Sequence, residues 1–551
     1  MNINIKELSS FARSLSANEV AIGAIIVWST YLFGLIVYRL YLCPVAHIPG
    51  PFLAKVTYWH EFYYDCIQTG QYTFVLPTLH TKYGPIIRIN PHEVHIADPD
   101  FYDTVFAGAT QKRNKWPWYC NAFGSAPESA FATSDHDLHR KRRAALNPYF
   151  SKTKVRSLQP VIEERAEALC KILEEFQSTG EIMKATLGFA AATNDIAMQY
   201  AFGRSENRVE APDFDPSFHD ASVSGISVAH LSKHFPWILN LMMSLPDKAS
   251  IVMNPNMFSF IKLKRVSRIK SHKLSEDVLA QLEIVKANPE NHKYNADSYP
   301  TIFHELLHSS LPPAEKSTTR LADDGQSIVV AGTLTTAGAL ACALFYLLSQ
   351  PPTLRRLKEE LIKAIPDPKA RVPSLATLEQ LPYLTSVIKE ALRISNGVST
   401  RLQRISPVDP VVFKAKPADG GKEYVIPPGT PMSLTHMLIH FDGNIFADPY
   451  AFRPERWIEN PKLDRHLHPF SGGTRQCVGI NLAWAELYLV LAMIFRRYGG
   501  SYGGWKELRW EGDKGVLELF ETSEKDIRIV ADLIVPLTSP ESKGVRIVVR
   551  E

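Results

Sequence analysis

One cysteine stands where a glycine-rich turn leads into a long apolar helix pattern. The chain reads HPFSGGTRQCVG from His468 to Gly479 and continues as INLAWAELYLVLAMIFRRY. Glycines let the backbone take positive φ and approach a flat ligand closely. The first helical turn leaves backbone N–H groups unpaired, and these favour a thiolate over a thiol. A cysteine placed there, Cys477, can be an anionic axial ligand, and Arg475 adds a cation able to pair with a carboxylate of the same ligand.

The fixed positions of this loop carry a resemblance to a known family. The pattern FxxGxRxCxG resembles, at every fixed position, the haem-binding signature of the cytochrome P450 family. The resemblance implies haem b, iron protoporphyrin IX, with Cys477 as axial ligand of the iron. Thiolate ligation favours cleavage of the O–O bond. The cofactor-binding positions that it implies in this loop are Phe470, Gly473, Arg475, Cys477 and Gly479.

Two upstream motifs occur in the order that the resemblance requires. In SVIKEALRIS, Glu390 and Arg393 are three residues apart, so they share one helix face. Alone, such a pair is usually a surface salt bridge of small energetic effect. Together with FRPERW, which supplies Arg456, it resembles the family's Glu-Arg-Arg core. The resemblance implies a structural role for the three residues in locking a helix to the segment before the cysteine loop.

A long apolar helix, SIVVAGTLTTAGALACALFYLLSQ, resembles the family's oxygen-activation helix. Thr335 then occupies the position of the oxygen-site threonine and is the predicted catalytic residue. The alternative is that its hydroxyl bonds back to the preceding helical turn. One position departs from the family pattern, because Leu334 replaces the usual Asp or Glu. Leucine cannot transfer a proton, so this departure puts the ordinary route of proton delivery in doubt.

Several basic side chains are candidates for contacting the haem propionates. In SDHDLHRKRRAALNPYFS, His139 and Arg143 are four residues apart on a predicted helix and resemble the family's His-x-x-x-Arg pair. The same basic run is equally typical of a solvated helix face or a docking surface for an acidic redox partner. Arg401 and Arg404 are further candidates, and the sequence does not choose between them.

The N-terminal region contains 19 residues without a charge, VAIGAIIVWSTYLFGLIVY, from Val20 to Tyr38. This run is long enough to span a bilayer, and the bulky residues after it disfavour signal-peptide cleavage. A buried core helix is the alternative. We predict a short N-terminal segment (1–19), a single transmembrane anchor (20–38), a proline-rich hinge (39–51) and one catalytic domain (52–551).

The composition excludes several classes of protein. The chain has 551 residues, 45% of them hydrophobic, and 61 Lys+Arg against 57 Asp+Glu. A net charge of +4 on so large a surface cannot attract a polyanion strongly, so no nucleic-acid partner is expected.

The predicted fold is mainly α with a minor β-sheet, the cytochrome P450 fold. Predicted helices cover 155–178, 327–350, 353–364, 382–395 and 479–498, and strands fall within 86–96 and 527–549.

The resemblance implies a membrane-bound monooxygenase that oxidises a hydrophobic small molecule. NADPH would act only indirectly, through a cytochrome P450 reductase and possibly cytochrome b5, and the body would face the cytosol from the endoplasmic reticulum. SKHFPWILNLMMSLP and NGVSTRLQRISP resemble fungal enzymes that modify terpenoid or polyketide–terpenoid metabolites. Alternatives are a haem-thiolate isomerase or dehydratase needing no electrons, and a non-catalytic haem-binding membrane protein.

Predicted substrate-facing segments are 116–131, 219–245 and 396–400; the basic run 261–273 is either a solvated helix face or a lipid contact.

Overall fold

The computed structural model describes residues 16–123, 126–238, 241, 301–501 and 508–551. Helices dominate these ranges and the sheets are small, so the predicted fold class is confirmed. The α-helices of six residues or more are α1 (Ala17–Val37), α2 (Tyr72–Tyr83), α3 (His136–Leu146), α4 (Lys152–Ser157), α5 (Gln159–Thr179), α6 (Ala185–Phe202), α7 (Ser217–Ser227), α8 (Ala229–His234), α9 (Ile302–His308), α10 (Thr318–Ser349), α11 (Pro351–Ala364), α12 (Pro382–Ser395) and α13 (Ile480–Arg497).

Two helices differ from their predicted extents. The pattern at 155–178 predicts one helix, and this is wrong, because the chain forms α4 and α5 with a break at Leu158. Pro160 stands in the first turn of α5, where its missing N–H removes no helical hydrogen bond. The helix α10 begins earlier than predicted, since the Ser317 side chain caps it by accepting from the backbone N–H of Arg320.

The strands form two four-stranded sheets and two hairpins. The first sheet has the order β1-β2-β7-β4 and the second β3-β12-β9-β8, while β5 pairs with β6 and β10 with β11. The strands are β1 (Ile86–Arg88), β2 (Val94–Ile96), β3 (Met183–Lys184), β4 (Leu402–Ile405), β5 (Val411–Lys414), β6 (Glu423–Ile426), β7 (Pro431–Leu434), β8 (Tyr498–Ser501), β9 (Gly515–Leu519), β10 (Ala531–Leu533), β11 (Val535–Leu537) and β12 (Arg546–Arg550). The strand-like stretches at 86–96 and 527–549 thus fall in three different sheets, and strands β3 to β9 were not predicted.

The core forms where α10 packs against α6, α12 and α13. Leu340 and Leu344 of α10, and Leu487 and Leu491 of α13, are almost completely buried. Each such side chain stabilises the fold by about 1.5–3 kcal/mol when it leaves water. This packing places the middle of α10 beside the helix that follows the cysteine loop.

Two of the described helices are long and apolar enough to cross a membrane. One is α10, which is mostly buried and is therefore a core helix. The other is α1 with the π-helical turn that follows it, together Ala17–Leu42, and α1 has no buried residue. The helical conformation ends at Cys43, directly before Pro44. An apolar helix of which the rest of the described chain buries no residue is a candidate membrane anchor.

Candidate haem site

A glycine fixes the path of the loop before Cys477. Gly473 has φ +66°, and a Cβ there would lie 2.3 Å from the carbonyl oxygen of Phe106 and 2.4 Å from that of Ala107. Neither contact is sterically possible, so no other residue fits this conformation. The backbone N–H of Thr474 donates to Ala107 O at 3.3 Å. The loop therefore lies directly against the segment at 106–107.

Cys477 sits at the end of this loop with its side chain exposed on one side. Its backbone N–H donates to Phe470 O at 2.9 Å, and Gly479 N–H donates to its sulfur. Burial on the other sides raises the pKa of the thiol, while the Gly479 N–H and the Arg143 cation lower it. A bound metal ion deprotonates such a thiol outright. The sulfur is thus prepared for a cationic partner on its open side.

Four basic side chains lie together near the loop: Lys115, His139, Arg404 and Arg475. Burial and then mutual repulsion lower the pKa of Arg475 to about 9, and burial lowers that of Arg404 to about 10. Burial, followed by repulsion from Arg475, lowers the pKa of His139 to about 2, so its imidazole is neutral near pH 7, and burial lowers the pKa of Lys115 to about 7. Within the described ranges none of the four forms an ion pair with a carboxylate. Arg404 and Arg475 are buried cations without counterions, which is costly, so this cluster fits an anionic ligand.

The hydrogen bonds of the two arginines leave donors free. Arg475 donates to the carbonyl oxygens of Thr133, Ser134 and Asp135, and its Nε has no partner. Arg404 donates to its neighbour's carbonyl, Gln403 O, at 2.8 Å and stands 4.9 Å from the Phe106 ring centroid. Free guanidinium donors beside an open thiol match the two carboxylates and the iron of a haem. The residues present therefore fit this group.

Arg401 is placed differently from Arg404. It is fully buried and pairs with the carboxylates of Glu61 and Glu93. These carboxylates raise the pKa of the guanidinium against the opposing effect of burial. Its charge is already neutralised by protein groups. Of the two arginines that the sequence leaves open, Arg404 is the one available to a ligand.

His139 and Arg143, the predicted pair on α3, lie in different surroundings. Asp135 caps the helix by accepting from Leu138 N at 2.8 Å, and His139 then faces the cation cluster. Arg143, one turn later, donates to Gln476 O at 2.8 Å and to the side chain of Asn147. Arg143 thus holds the backbone next to Cys477, and its contact with a propionate stays a prediction.

The middle of α10 presents one open face. Ala331 and Gly338 are exposed although most of the helix is buried, and Thr335 lies between them at helical spacing. The Thr335 hydroxyl donates to Ala331 O at 2.7 Å, which is the bond to the preceding turn that the sequence allows as an alternative. Its oxygen lone pairs are not used by that bond. Leu334, beside it, brings no ionisable group to this face.

Glu390 is the centre of a fully buried polar network. It accepts from Arg393 at 2.8 and 3.0 Å and from Arg456 Nε at 3.1 Å. The Trp457 indole N–H and the backbone N–H of Arg453 fill its remaining acceptor positions at 2.9 Å. Arg393 also donates to backbone carbonyls at 440, 449 and 451. These bonds join α12 to the segment that leads into the cysteine loop.

Comparison with known proteins agrees with this geometry. Residues 49–503 match the model of the family described as Cytochrome P450. The chain belongs to the cytochrome P450 family. It is 46% identical to the cytochrome P450 monooxygenase tpcC of Cochliobolus heterostrophus, over 96% of this chain and 97% of the relative. It is 42% identical to the cytochrome P450 monooxygenase astB of Talaromyces wortmannii (98% and 99%), and 37% identical to the tryptophan 6-hydroxylase fscE of Fusarium equiseti (96% and 96%).

Two candidate residues of this P450 were missed in the sequence. Lys115 carries no motif, and only the fold brings it to the cation cluster. Glu486 does carry a signal, because it is the one charged residue between Ile480 and Phe495 in an otherwise apolar helix. A lone acid in a helix that becomes fully buried has to be explained by its surroundings.

Exchanging the two arginines for methionine should have opposite effects on this P450. Arg404→Met removes an unpaired buried cation, so the haem-free protein should be as stable as the wild type or more stable. Its haem affinity should fall about tenfold or more, because a charge-assisted hydrogen bond is lost. Arg401→Met should instead lower the free energy of unfolding by about 3–5 kcal/mol, since the buried carboxylate of Glu93 loses its cationic partner and Glu61 keeps only Lys233.

Haem titration and urea unfolding of both variants measure these effects. The unfolding experiment is done on haem-free protein, so that stability and haem binding are separated. Equal haem affinity in Arg404→Met and wild-type protein would remove Arg404 from the site.

Proposed function

We propose that this P450 is a membrane-anchored haem-thiolate monooxygenase that inserts one atom of O2 into a hydrophobic small molecule and reduces the other to water. The observation that carries the proposal is the open sulfur of Cys477 together with Arg404 and Arg475, two buried guanidinium groups that form no ion pair with a carboxylate within the described ranges. The names of the relatives, monooxygenase and hydroxylase, support oxygen insertion over isomerisation or dehydration.

Each residue has a distinct task in this proposal. A bound haem supplies the activation of dioxygen. Cys477 holds the iron, and Gly479 N–H stabilises the thiolate sulfur. Arg404 and Arg475 would neutralise the two haem carboxylates, and Lys115 and the neutral imidazole of His139 lie in the same cluster.

Three further residues complete the proposed site: Phe470 and Glu390 support the cysteine loop, and Thr335 holds a proton. The carbonyl oxygen of Phe470 accepts a hydrogen bond from the backbone N–H of Cys477. The centroid of the Phe470 ring lies 6.3 Å from that of Trp484 on α13. Thr335 holds a proton at Oγ1 on the open face of α10. Glu390 fixes α12 to the segment before the loop through its two arginines, and is structural in this proposal.

Monooxygenase chemistry also bears on the electron donor and on the membrane that would hold this protein. Monooxygenation consumes two electrons per turnover, which we assign to NADPH through a separate reductase, with cytochrome b5 as a further donor. The apolar helix α1, which has no buried residue, supports a single membrane anchor. We assign the membrane to the endoplasmic reticulum, with the body in the cytosol, where such a reductase and membrane-dissolved substrates are both accessible.

The proposed substrate is a terpenoid or polyketide–terpenoid intermediate of fungal secondary metabolism. Two sequence stretches support this class, and one of them, 232–246, is described only at 232–238 and 241. The other forms the turn at 396–400 and strand β4, where Gly397 approaches Thr335: a Cβ at Gly397 would lie 3.2 Å from Thr335 Cβ. This turn therefore borders the open face of α10.

Turnover of a terpenoid panel tests the proposal. Membranes containing the protein are mixed with a fungal reductase and NADPH, and products are followed by mass spectrometry with 18O2. We expect one product to gain a single 18O atom, only when NADPH and O2 are both present. Conversion without NADPH and O2 would favour the isomerase or dehydratase, and haem loading without turnover of any panel compound would favour the non-catalytic protein.

A further inference from the structure

Lys233 is a buried cation near the end of α8. Its side chain is 0% exposed, and its ammonium nitrogen lies 2.5 Å from a carboxylate oxygen of Glu61 and 2.7 Å from one of Asp65. Burial opposes a charge at this position, but Asp65 and Glu61 raise the pKa of Lys233 above its usual value. Lys233 is therefore positively charged, and it joins α8 to the helical segment 59–67.

Stability of the fold does not by itself explain this ion pair. Removing an ammonium and two carboxylates from water is costly, and apolar side chains of similar volume often stabilise a protein equally well or better. The best-attested use of a buried ion pair is to specify one arrangement of the segments that supply its charges. The question is therefore which arrangement Lys233 specifies.

The ammonium of Lys233 also faces two aromatic rings of the helix Pro117–Cys120. It lies 5.2 Å from the ring centroid of Trp118 and 5.6 Å from that of Tyr119. A cation within about 6 Å of an aromatic face is attracted to it, and more strongly where water is excluded. One ammonium thus joins α8 and segment 59–67 to this aromatic helix.

Tyr119 is in turn joined to the turn beside the oxygen-site threonine. Its hydroxyl oxygen lies 2.7 Å from Thr400 Oγ1, and both side chains are buried. Thr400 belongs to the turn 396–400, which approaches Thr335 through Gly397. Tyr119 therefore lies against the segment that borders the open face of α10.

Phe123 continues the same aromatic surface toward the cysteine loop. Its ring centroid lies 6.0 Å from that of Tyr119, and the ammonium of Lys115, from the cation cluster, lies 5.9 Å from the Phe123 ring. Trp118, Tyr119 and Phe123, which we call the aromatic wall, thus connect the cation cluster to the turn 396–400.

We propose that Lys233 is a positioning residue that fixes the aromatic wall at the edge of the substrate site, and so determines which hydrophobic ligands fit there. This inference rests on the proposed monooxygenase function, which places a hydrophobic molecule at the open face of α10. Lys233 contacts no reacting atom: it holds Trp118 and Tyr119 by its charge, and Glu61 and Asp65 hold it. A preformed wall needs less ordering when a ligand binds than a mobile wall does, so it increases affinity.

The test variant removes the ammonium together with one of its carboxylates. Lys233→Met alone would leave the buried carboxylates short of a cation, which is strongly destabilising. Lys233→Met/Asp65→Asn keeps the charges balanced, because Glu61 is still paired with Arg401. The fold is therefore preserved while the contact with the aromatic wall is lost.

A second buried lysine provides the matched control. Lys358 of α11 is also 0% exposed, lies 2.5 Å from Asp513 and stands 5.3 Å from the Trp510 ring centroid. It also donates to the carbonyl oxygens of Arg496 and Tyr498, at the opposite end of α13 from the cysteine loop. Lys358→Met/Asp513→Asn therefore removes the same types of group from a place that does not border the proposed site.

Hydrogen–deuterium exchange of the full chain tests the positioning directly. We expect the backbone of 116–123 to exchange at least about tenfold faster in Lys233→Met/Asp65→Asn than in the wild type, because the ammonium no longer opposes local opening. The Lys358 control should leave the exchange of 116–123 unchanged. Wild-type exchange of 116–123 in the Lys233 double variant would overturn the proposal.

The affinity of azoles that bind the haem iron tests the effect on ligand fit without a known substrate. Dissociation constants are measured from the shift of the Soret band for imidazole and for clotrimazole, a bulky triaryl-substituted imidazole. We expect Lys233→Met/Asp65→Asn to bind clotrimazole at least about fivefold more weakly, because contact with a preformed aromatic surface is lost. Its affinity for imidazole should equal that of the wild type, and the Lys358 control should bind both azoles as the wild type does.

The outcomes separate this inference from the proposed function. Wild-type protein without a thiolate-type carbon-monoxide spectrum contradicts the function itself. A normal spectrum with equal losses of imidazole and clotrimazole affinity in the Lys233 double variant, or with no loss of either, contradicts only the role of Lys233. Equal clotrimazole losses in the Lys233 and Lys358 double variants also contradict it, because a general loosening of the fold would then explain the effect.

Discussion

Glu390→Ala is expected to lower the free energy of unfolding by about 3–5 kcal/mol and to leave the protein largely without haem. The substitution strands Arg393 and Arg456 as buried cations, which is the costly way to break a buried ion pair. It also frees the Trp457 indole N–H and the Arg453 backbone N–H that Glu390 accepts. Urea unfolding and the haem absorbance per protein measure the two effects.

A nearby ion pair provides the control. Glu459 pairs with Arg453 at 2.6 Å, but both side chains are about half exposed. Glu459→Ala should therefore change the free energy of unfolding by less than about 1 kcal/mol and leave the haem content intact. Full haem occupancy in Glu390→Ala would contradict the assigned structural role.

Gly473→Ala is expected to abolish the thiolate-type haem spectrum. Its Cβ would overlap the carbonyl oxygens of both Phe106 and Ala107, so the loop has to move away from the segment that supports it. The αL conformation adds about 1–2 kcal/mol for a residue with a side chain, and overpacking adds about 1–3 kcal/mol. The carbon-monoxide difference spectrum and the thermal midpoint report the displacement.

A substitution at Gly420 separates the cost of the αL conformation from the cost of steric overlap. Gly420 has φ +89°, and nothing lies within 4 Å of an added Cβ. Gly420→Ala should therefore cost only the conformational term and leave the haem spectrum unchanged. A Gly473→Ala protein with a wild-type spectrum would show that the loop need not contact 106–107.

Motifs predicted the parts of this site whose geometry is local in sequence. The turn before Cys477 and the three-residue spacing of Glu390 and Arg393 are short-range features, and the structure forms both as expected. The family and the fold class were predicted for the same reason. The break at Leu158 was missed, although Pro160 marks the first turn of the second helix.

Long-range pairing decided what the sequence left open. Arg401 and Arg404 are equivalent in sequence, and only the buried carboxylates from distant segments distinguish them. The Thr335 hydroxyl donates to Ala331 O because the carbonyl one turn earlier is the acceptor within reach of a helical hydroxyl. No sequence motif excludes this hydrogen bond. Lys115 and Glu486 acquire their surroundings from the packing of separate helices and loops, so their unusual environments appear only in three dimensions.

The most direct test of the haem-thiolate assignment is the carbon-monoxide difference spectrum of dithionite-reduced membranes, measured for wild-type protein and Cys477→Ala. We expect a red-shifted, thiolate-type Soret band in the wild type and its complete loss in the variant, because alanine offers no ligand to the iron. Properly folded wild-type protein without bound haem, or a Cys477→Ala protein that keeps this band, would contradict the assignment.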